Sequence, residues 1–442
     1  MHIMQFALFY IFVFPIENTN MAFADKYLKK QRMYPEYIST PVSENLNIIV
    51  TIPCFNEPDL ITSLNSLWNC ERPQGDVEVI VIVNSGEKTD QEALNQNTTT
   101  IKATNDWIAN HQEDHLKFYL IHQANLPRKF AGVGFARKIA MDEAVGRFNK
   151  IDKANGIITG FDADSTCDTN YLVEIEKLFK QHPKANGANI FYEHPLEGNE
   201  FEEDIYQAIA QYELYLRYYR LAMQYAGHPH AFHTVGSSFA VTASAYVKQG
   251  GMNRRQAGED FYFLQKIIPL GNFYEINSTR VIPSPRISDR VPFGTGKAIS
   301  TFIEEGIVDY KTYNYAAFTD LKVLFDRVDE FFGVDYDTYL NKLIVNLPGP
   351  VRSYLKEDNF YEALDEINKN CASLESFRKK FFGAFNAFKV LKYLNNVHEQ
   401  FIDEESIVVC AKQLLVDLGI DSKGIYAAKE LLKIYRELEK KQ

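Results

Sequence analysis

The segment Val77-Glu78-Val79-Ile80-Val81-Ile82-Val83 is almost wholly apolar and β-branched. Such a run marks a strand buried on both faces, as parallel strands covered by helices are. A parallel strand reaches its neighbour only through a crossover, so the flanking chain must supply helices. Upstream, residues 46–53 (Leu-Asn-Ile-Ile-Val-Thr-Ile-Pro) form a second such run, stopped by Pro53. Between the two runs Ile61, Leu64, Leu67 and Trp68 recur at helical spacing. Residues 118–121 predict a third strand. Residues 157–160 predict a fourth, preceded by a helix carrying Ile139, Met141 and Ala144. This β-α-β order predicts an α/β domain on a mostly parallel central sheet flanked by helices, with ligands bound at the carboxyl ends of the strands.

Those ends carry chemistry. Residues 157–164 read Ile-Ile-Thr-Gly-Phe-Asp-Ala-Asp. If the strand runs on to Asp164, side-chain period two puts Asp162 and Asp164 on one face and turns Ala163 away. Two carboxylates with no His or Cys beside them suit a hard divalent ion, Mg or Mn, which commonly also holds substrate phosphates. The competing reading is a turn and helix cap ahead of Tyr171. Strand one opens into Cys54-Phe55-Asn56-Glu57-Pro58 and strand two into Asn84-Ser85-Gly86. Residues 127–138 set glycines and the cations Arg128, Lys129, Arg137 and Lys138 ahead of a helix. Free amides and arginines there can hold a diphosphate, the alternative being a solvated basic helix start. Gly258-Glu259-Asp260 opens a helix over 261–268, where acids also complement the helix dipole. Residues 283–297 are loop chemistry with Arg286, Arg290 and Lys297, three cations able to close over a phosphorylated ligand.

Residues 188–192 and 235–241 read as further strands. Residues 202–225 read as a helix rich in tyrosine: Tyr206, Tyr212, Tyr215, Tyr218, Tyr219 and Tyr225. Such rings can stack on sugars, but a tyrosine stripe at helical spacing is first a half-buried packing face. His228, His230 and His233 have metal spacing, yet Pro229 and the loop-like setting predict a surface turn. From about residue 301 the pattern is helical, with Leu321, Leu324 and Phe325, then Phe377, Phe381 and Phe385, and no catalytic constellation. The division this predicts is an extension over 1–45, a catalytic unit over 46–300 and a helical accessory region over 301–442. A net charge of −11 speaks against a nucleic-acid surface. Five scattered cysteines predict a reduced, cytoplasmic chain. Residues 1–14 are apolar but lack Lys and Arg and are too short to span a bilayer. Met1 and Met21 thus stand as alternative starts, and any membrane association is expected to be peripheral, at the inner face.

In order along the chain stand the Pro53…Asn56-Glu57 turn, the polar strand end at Asn84, the Gly/Arg helix start with Arg137, Asp162-Ala163-Asp164, the Gly250-Gly251 turn and Gly258-Glu259-Asp260. Over residues 46–297 this series resembles the GT-A fold glycosyltransferases of family 2. The resemblance implies a nucleotide-diphospho-sugar transferase fold that moves a sugar from a nucleotide-diphosphate sugar to an acceptor hydroxyl on a glycan, a lipid-linked or a small molecule, with Mn or Mg. By position it implies Asn84 near the base, Asp162 near the ribose and the metal, and Asp164 on the metal. It also implies Asp260 as the base of an inverting reaction, with Glu259 beside it, and Pro53, Asn56, Glu57, Arg137, Arg286 and Arg290 on the donor side. Two departures stand out. Asn84 occupies a position where the family commonly has Asp, and no His follows the Glu-Asp helix, leaving Asp289, Arg286 or Arg290 as substitutes. Two other classes remain open, a nucleotidyltransferase making sugar nucleotides and a catalytically silent nucleotide-binding scaffold. A glycosidase pair would leave the nucleotide-type sheet without purpose.

Overall fold

The structure is a computed structural model that describes residues 21–288 and 294–441. Strands β1 (Leu46–Cys54), β2 (Asp76–Gly86), β3 (Leu116–Leu126), β4 (Ile157–Gly160), β5 (Ser165–Cys167), β6 (Gly187–Tyr192), β7 (Phe239–Thr242) and β8 (Phe273–Pro283) form one sheet in the order β3-β2-β1-β4-β7-β6-β8-β5. It is parallel through β3-β2-β1-β4 and again between β6 and β8. β7 is inserted antiparallel between β4 and β6, and β5 closes the far edge antiparallel to β8. The connecting helices are α1 (Asp25–Gln31), α2 (Leu60–Trp68), α3 (Gln91–Asn110), α4 (Val133–Lys150), α5 (Tyr171–Gln181), α6 (Glu203–Tyr225), α7 (Ala243–Lys248), α8 (Glu259–Ile267) and α9 (Thr295–Glu305). This is the expected α/β architecture, with a helical region after it.

Period-two alternation sorts the strand side chains into two cores. Ile48, Val50 and Ile52 of β1 and Val77, Val79, Val81 and Val83 of β2 pack on Leu60, Leu64 and Leu67 of α2 and on Leu172 and Ile175 of α5. Ile49, Ile80 and Ile82 point the other way, onto Ala136, Ala140 and Ala144 of α4 and Phe263 and Leu264 of α8. Burial on both faces is why residues 77–83 lack polar alternation. Each of these aliphatic side chains contributes about 1.5–3 kcal/mol, so a charge at Val81 would break the sheet at its centre.

Two local expectations are corrected. Proline does not stop β1, which runs on to Cys54 with Pro53 opposite Ile82 of β2. The β1–β4 ladder ends at Thr51 opposite Gly160, so the edge to which Pro53 would have offered an N–H is already unpaired. Likewise β4 stops at Gly160, and Asp162 and Asp164 stand on the turn leading to β5, not on a strand. Ala163 is turned inward all the same, its carbonyl accepting from Ser63 Oγ at 2.8 Å.

A third core joins α6 and α9 to the helices that follow. Leu214, Tyr218 and Leu221 of α6 pack with Phe302, Leu321, Phe325, Leu414 and Tyr435, and the spaced phenylalanines Phe377, Phe381 and Phe385 lie inside it. The last helix, Ala428–Lys440, is pinned to α6 by buried ions. Arg436 Nε and Nη2 donate to Glu213 at 2.8 and 2.6 Å, Arg217 Nε donates to Glu213 at 2.8 Å, and Arg217 Nη1 is paired with Glu439. Burial alone would raise Glu213; Arg217, His194 and Arg436 overcome it and hold that carboxyl well below its ordinary value. Among the described residues no helix is long and apolar enough to cross a membrane.

Candidate active site

A cleft of about 620 Å3 opens at the carboxyl ends of β1, β2 and β4. The turn that leaves β1 delivers Glu57, whose carboxylate accepts from Asp59 N at 2.9 Å and from Arg286 Nη1 at 2.9 Å. Arg286, just past β8, bridges from there to Asp164 Oδ2, donating from Nε at 3.1 Å and from Nη2 at 2.8 Å. Asp162 Oδ1 accepts from Arg137 Nη2 at 2.9 Å. Arg137, the fifth residue of α4, also donates from Nε to Glu259 Oε1 at 3.1 Å and from Nη1 to the Gly236 carbonyl at 2.9 Å. Its guanidinium is 2% exposed. It therefore braces the Asp162 turn against the start of α8 and does not stand out toward solvent.

Close backbone approach makes that brace possible. A Cβ on Gly134 would meet the Arg255 carbonyl at 2.3 Å and Glu259 Cβ at 2.8 Å, so only glycine lets α4 pack on the start of α8. A Cβ on Gly236 would meet Arg137 Nη2 at 2.8 Å and Asp260 Oδ2 at 3.1 Å. Gly258, with φ 66°, caps α8 in the left-handed region and turns Glu259 and Asp260 into the cleft.

Arg137 and Arg286 thus stand among five carboxyls, Glu57, Asp162, Asp164, Glu259 and Asp260. Burial, with this grouping of acids, sets the protonation. Burial, then the neighbouring charge of Glu259, raises Asp260 to about 7 against the pull of Arg137. Burial raises Asp164 to about 7 against Arg286, with Asp162 and Glu57 adding to the rise. Glu259 is also raised, by burial opposed by Arg137. Asp260 still has an ordered acceptor role, taking the Phe261 N–H on Oδ1 at 2.7 Å.

Of the residues singled out in the sequence, Pro53, Glu57, Asn84, Arg137, Asp162, Asp164, Glu259, Asp260 and Arg286 all line this one cleft. Asn56 does not. It sits in the left-handed region at φ 50° and gives its N–H to Asn97 Oδ1 at 2.8 Å, which shapes the turn. Arg290 and Asp289 lie outside the described residues, as do residues 1–14. The histidine segment is not a surface turn. His228 is buried, Nε2 donating to the Phe385 carbonyl at 3.0 Å and Nδ1 accepting from His230 N at 3.2 Å, and burial lowers it to about 4. His233 Nε2 meets Glu439 at 3.0 Å. Sequence reasoning missed the far wall of the cleft, Tyr192, His194 and Arg220. Tyr192 and His194 had a usable signal, since they stand at the carboxyl end of β6.

Asp162 and Asp164 are the oxygen donors that the cleft offers a divalent ion. Asp162 and Asp164 each give an oxygen to an arginine, and among the described residues no group of three or more His, Cys, Asp or Glu side chains gathers into a protein-only cage. Two carboxylates completed by substrate phosphates are the arrangement Mg and Mn use, so the donor set fits an ion that arrives with a diphosphate.

No family model and no curated protein matches the chain. Solved structures do. Residues 1–349 of S. aureus TarS in complex with UDP-GlcNAc match at 14% identity over 76% of this chain and 91% of that one, with a TM-score of 0.37. The mannosyltransferase PcManGT from Pyrobaculum calidifontis, in complex with GDP-Man and Mn2+, matches at 14% identity over 94% of this chain and 92% of that one, with a TM-score of 0.33. At scores this low neither likeness bears on function.

Proposed function

We propose that the chain is a glycosyltransferase of the GT-A, family 2 type, moving a sugar from a nucleotide-diphosphate sugar to an acceptor hydroxyl with inversion. The observation that carries this reading is the convergence of the Asp162/Asp164 turn and the Glu259-Asp260 helix start on one cleft, linked through Arg137. Pro53, Glu57 and Asn84, at the ends of β1 and β2, face the nucleoside. Asp162 and Asp164 would hold Mn or Mg, which when bound offsets charge on the leaving diphosphate. A diphosphate entering beside these carboxylates needs such a counter-charge.

In the reaction the acceptor oxygen bonds to the anomeric carbon as that carbon's bond to the diphosphate oxygen breaks. The hydroxyl proton passes to Asp260, and the nucleoside diphosphate keeps the electron pair. Asp260 serves as base because its carboxyl is held at about 7, high enough to take a proton and low enough to be partly ionised at neutral pH. Arg137, bonded to Glu259 and Asp162, keeps the helix start that carries Asp260 and the Asp162 turn in register. Arg286, held between Glu57 and Asp164, donates to the Asp164 carboxylate and steadies the diphosphate side.

The test is a thermal-shift screen of nucleotide sugars with and without Mn2+, followed by product analysis. Stabilisation by one nucleotide sugar, with release of nucleoside diphosphate, is expected. Release of inorganic diphosphate would make the protein a nucleotidyltransferase, and stabilisation by none would overturn the reading.

A further inference from the structure

The cleft runs on beyond the acids, to a wall built by the end of β6 and the inner face of α6. Three residues of that wall carry a buried polar atom with no hydrogen-bond partner: Tyr192 OH, His194 Nε2 and Arg220 Nη1. The residues are 1%, 3% and 5% exposed. Buried polar atoms are nearly always bonded, so three on one wall of one cleft call for an explanation.

The rest of each side chain is held in place. His194 Nδ1 faces the Glu213 carboxylate at 3.0 Å. Arg220 donates from Nη2 to Glu275 at 2.6 Å and from Nε to the Ala231 carbonyl at 3.2 Å. The Tyr192 ring lies edge-on to His194 and His233 with Arg217 over its face. Each residue is thus fixed, with one polar atom left over.

The chemistry of the leftover atoms defines a ligand. Arg220 Nη1 can only donate, and a phenol does both. With Nδ1 given to Glu213, His194 Nε2 accepts in the neutral ring. A mixed set of donors and acceptors suits hydroxyl groups, which are both. An anion is disfavoured, because Arg220 is already countered by Glu275 and lies 3.9 Å from Glu439. Beside this row Tyr212 and Tyr219 also line the cleft, offering aromatic rings with polar tips. Tyr212 is raised by burial, by Tyr310 and by the charge of Asp260, which puts it within electrostatic reach of that carboxylate.

We propose that this end of the cleft is the acceptor subsite and that the acceptor is a neutral saccharide, its ring against Tyr212 and Tyr219 and its hydroxyls bonded by Tyr192, His194 and Arg220. The inference rests on the transferase reading only in calling the ligand an acceptor. A ring seated against Tyr212 brings one of its hydroxyls toward Asp260.

Saturation-transfer NMR tests it on the full chain, with neutral mono-, di- and trisaccharides of glucose, galactose, mannose and N-acetylglucosamine at millimolar concentration, each with UDP or GDP and Mn2+. At least one saccharide should bind saturably. Tyr192→Phe removes a hydroxyl that makes no internal bond, so its unfolding midpoint should not fall, while saccharide affinity drops about five- to tenfold, the worth of one hydrogen bond. Tyr212→Leu should lose more, and both variants should keep wild-type nucleoside-diphosphate affinity. If no saccharide binds, if Tyr192→Phe and Tyr212→Leu bind as wild type, or if only aliphatic alcohols compete, the inference fails. Absence of nucleoside-diphosphate binding with saccharide binding intact would overturn the transferase reading and leave the saccharide subsite standing.

Discussion

Replacing Asp260 by Asn separates a base from a helix-start acid in one variant, because the two roles predict opposite signs. Asn keeps the oxygen that accepts the Phe261 N–H, so the local bond survives. What changes is the charge. A carboxyl with an ordinary value of 3.8, held at about 7 by burial and by Glu259, prefers its neutral form by about 4 kcal/mol. Asp260 faces cleft water, and half of that, about 2 kcal/mol, is a fairer expectation. Its folded value lies above the unfolded one, so its contribution to stability is fully present below 3.8 and is lost as pH rises to about 7. Asp260→Asn cannot titrate. The variant should match wild type near pH 4 and exceed it by about 2 kcal/mol at pH 8, read by urea unfolding at both pH values. Turnover should fall by roughly 10²- to 10⁴-fold with donor affinity retained, and wild-type turnover should decline below about pH 7 as the base is protonated. Glu259→Gln is the control, since Glu259 is committed to Arg137. A stability gap that does not widen with pH would refute the electrostatic argument. Near-normal turnover of Asp260→Asn would refute the base, and a loss confined to Glu259→Gln would move that role one residue back.

Asp164→Asn should abolish most of the gain in UDP or GDP affinity on adding Mn2+, roughly tenfold or more by calorimetry, while metal-free binding stays close to wild type; an unchanged Mn2+ effect would remove Asp164 from the ion. Glu439→Gln leaves Arg217 and Arg220 buried without their shared acid and should cost roughly 3–5 kcal/mol in urea unfolding at pH 7. Burial would raise Glu439, but Arg217 and then His233 bring it from 4.5 to about 2, so its stabilisation is present above pH 4.5 and is lost as pH falls toward 2; the variant should lack that acid limb.

What could be read in the sequence is what local pattern controls. β1, β2 and β4 are legible because burial on both faces demands unbroken apolar runs, and α5 is legible because its apolar positions fall at helical spacing. β8 is not. Its span over Glu275, Asn277, Ser278 and Arg280 is polar, tolerated because on one side β8 meets only the short edge strand β5. α3 is polar for most of its length and low in helix propensity. It is held by the Asp90 cap and by Trp107, whose Nε1 donates to Asn65 of α2 at 2.8 Å. The histidine segment misled because proline and polar residues signal a turn, while the apolar residues that bury His228, Phe382 and Phe385, arrive more than 150 residues later. The acids were legible one by one, since strand ends and helix starts announce themselves. Their partners were not, because Arg137 reads equally well as a diphosphate ligand or as a brace until α4 and α8 are packed. Gly134 decides between these roles: its missing side chain lets the two helices close to the point where one guanidinium bonds both Asp162 and Glu259. The pair that would hold the donor is thereby tied to the pair that would activate the acceptor. A substitution at Gly134 should accordingly disturb both, without touching either ligand.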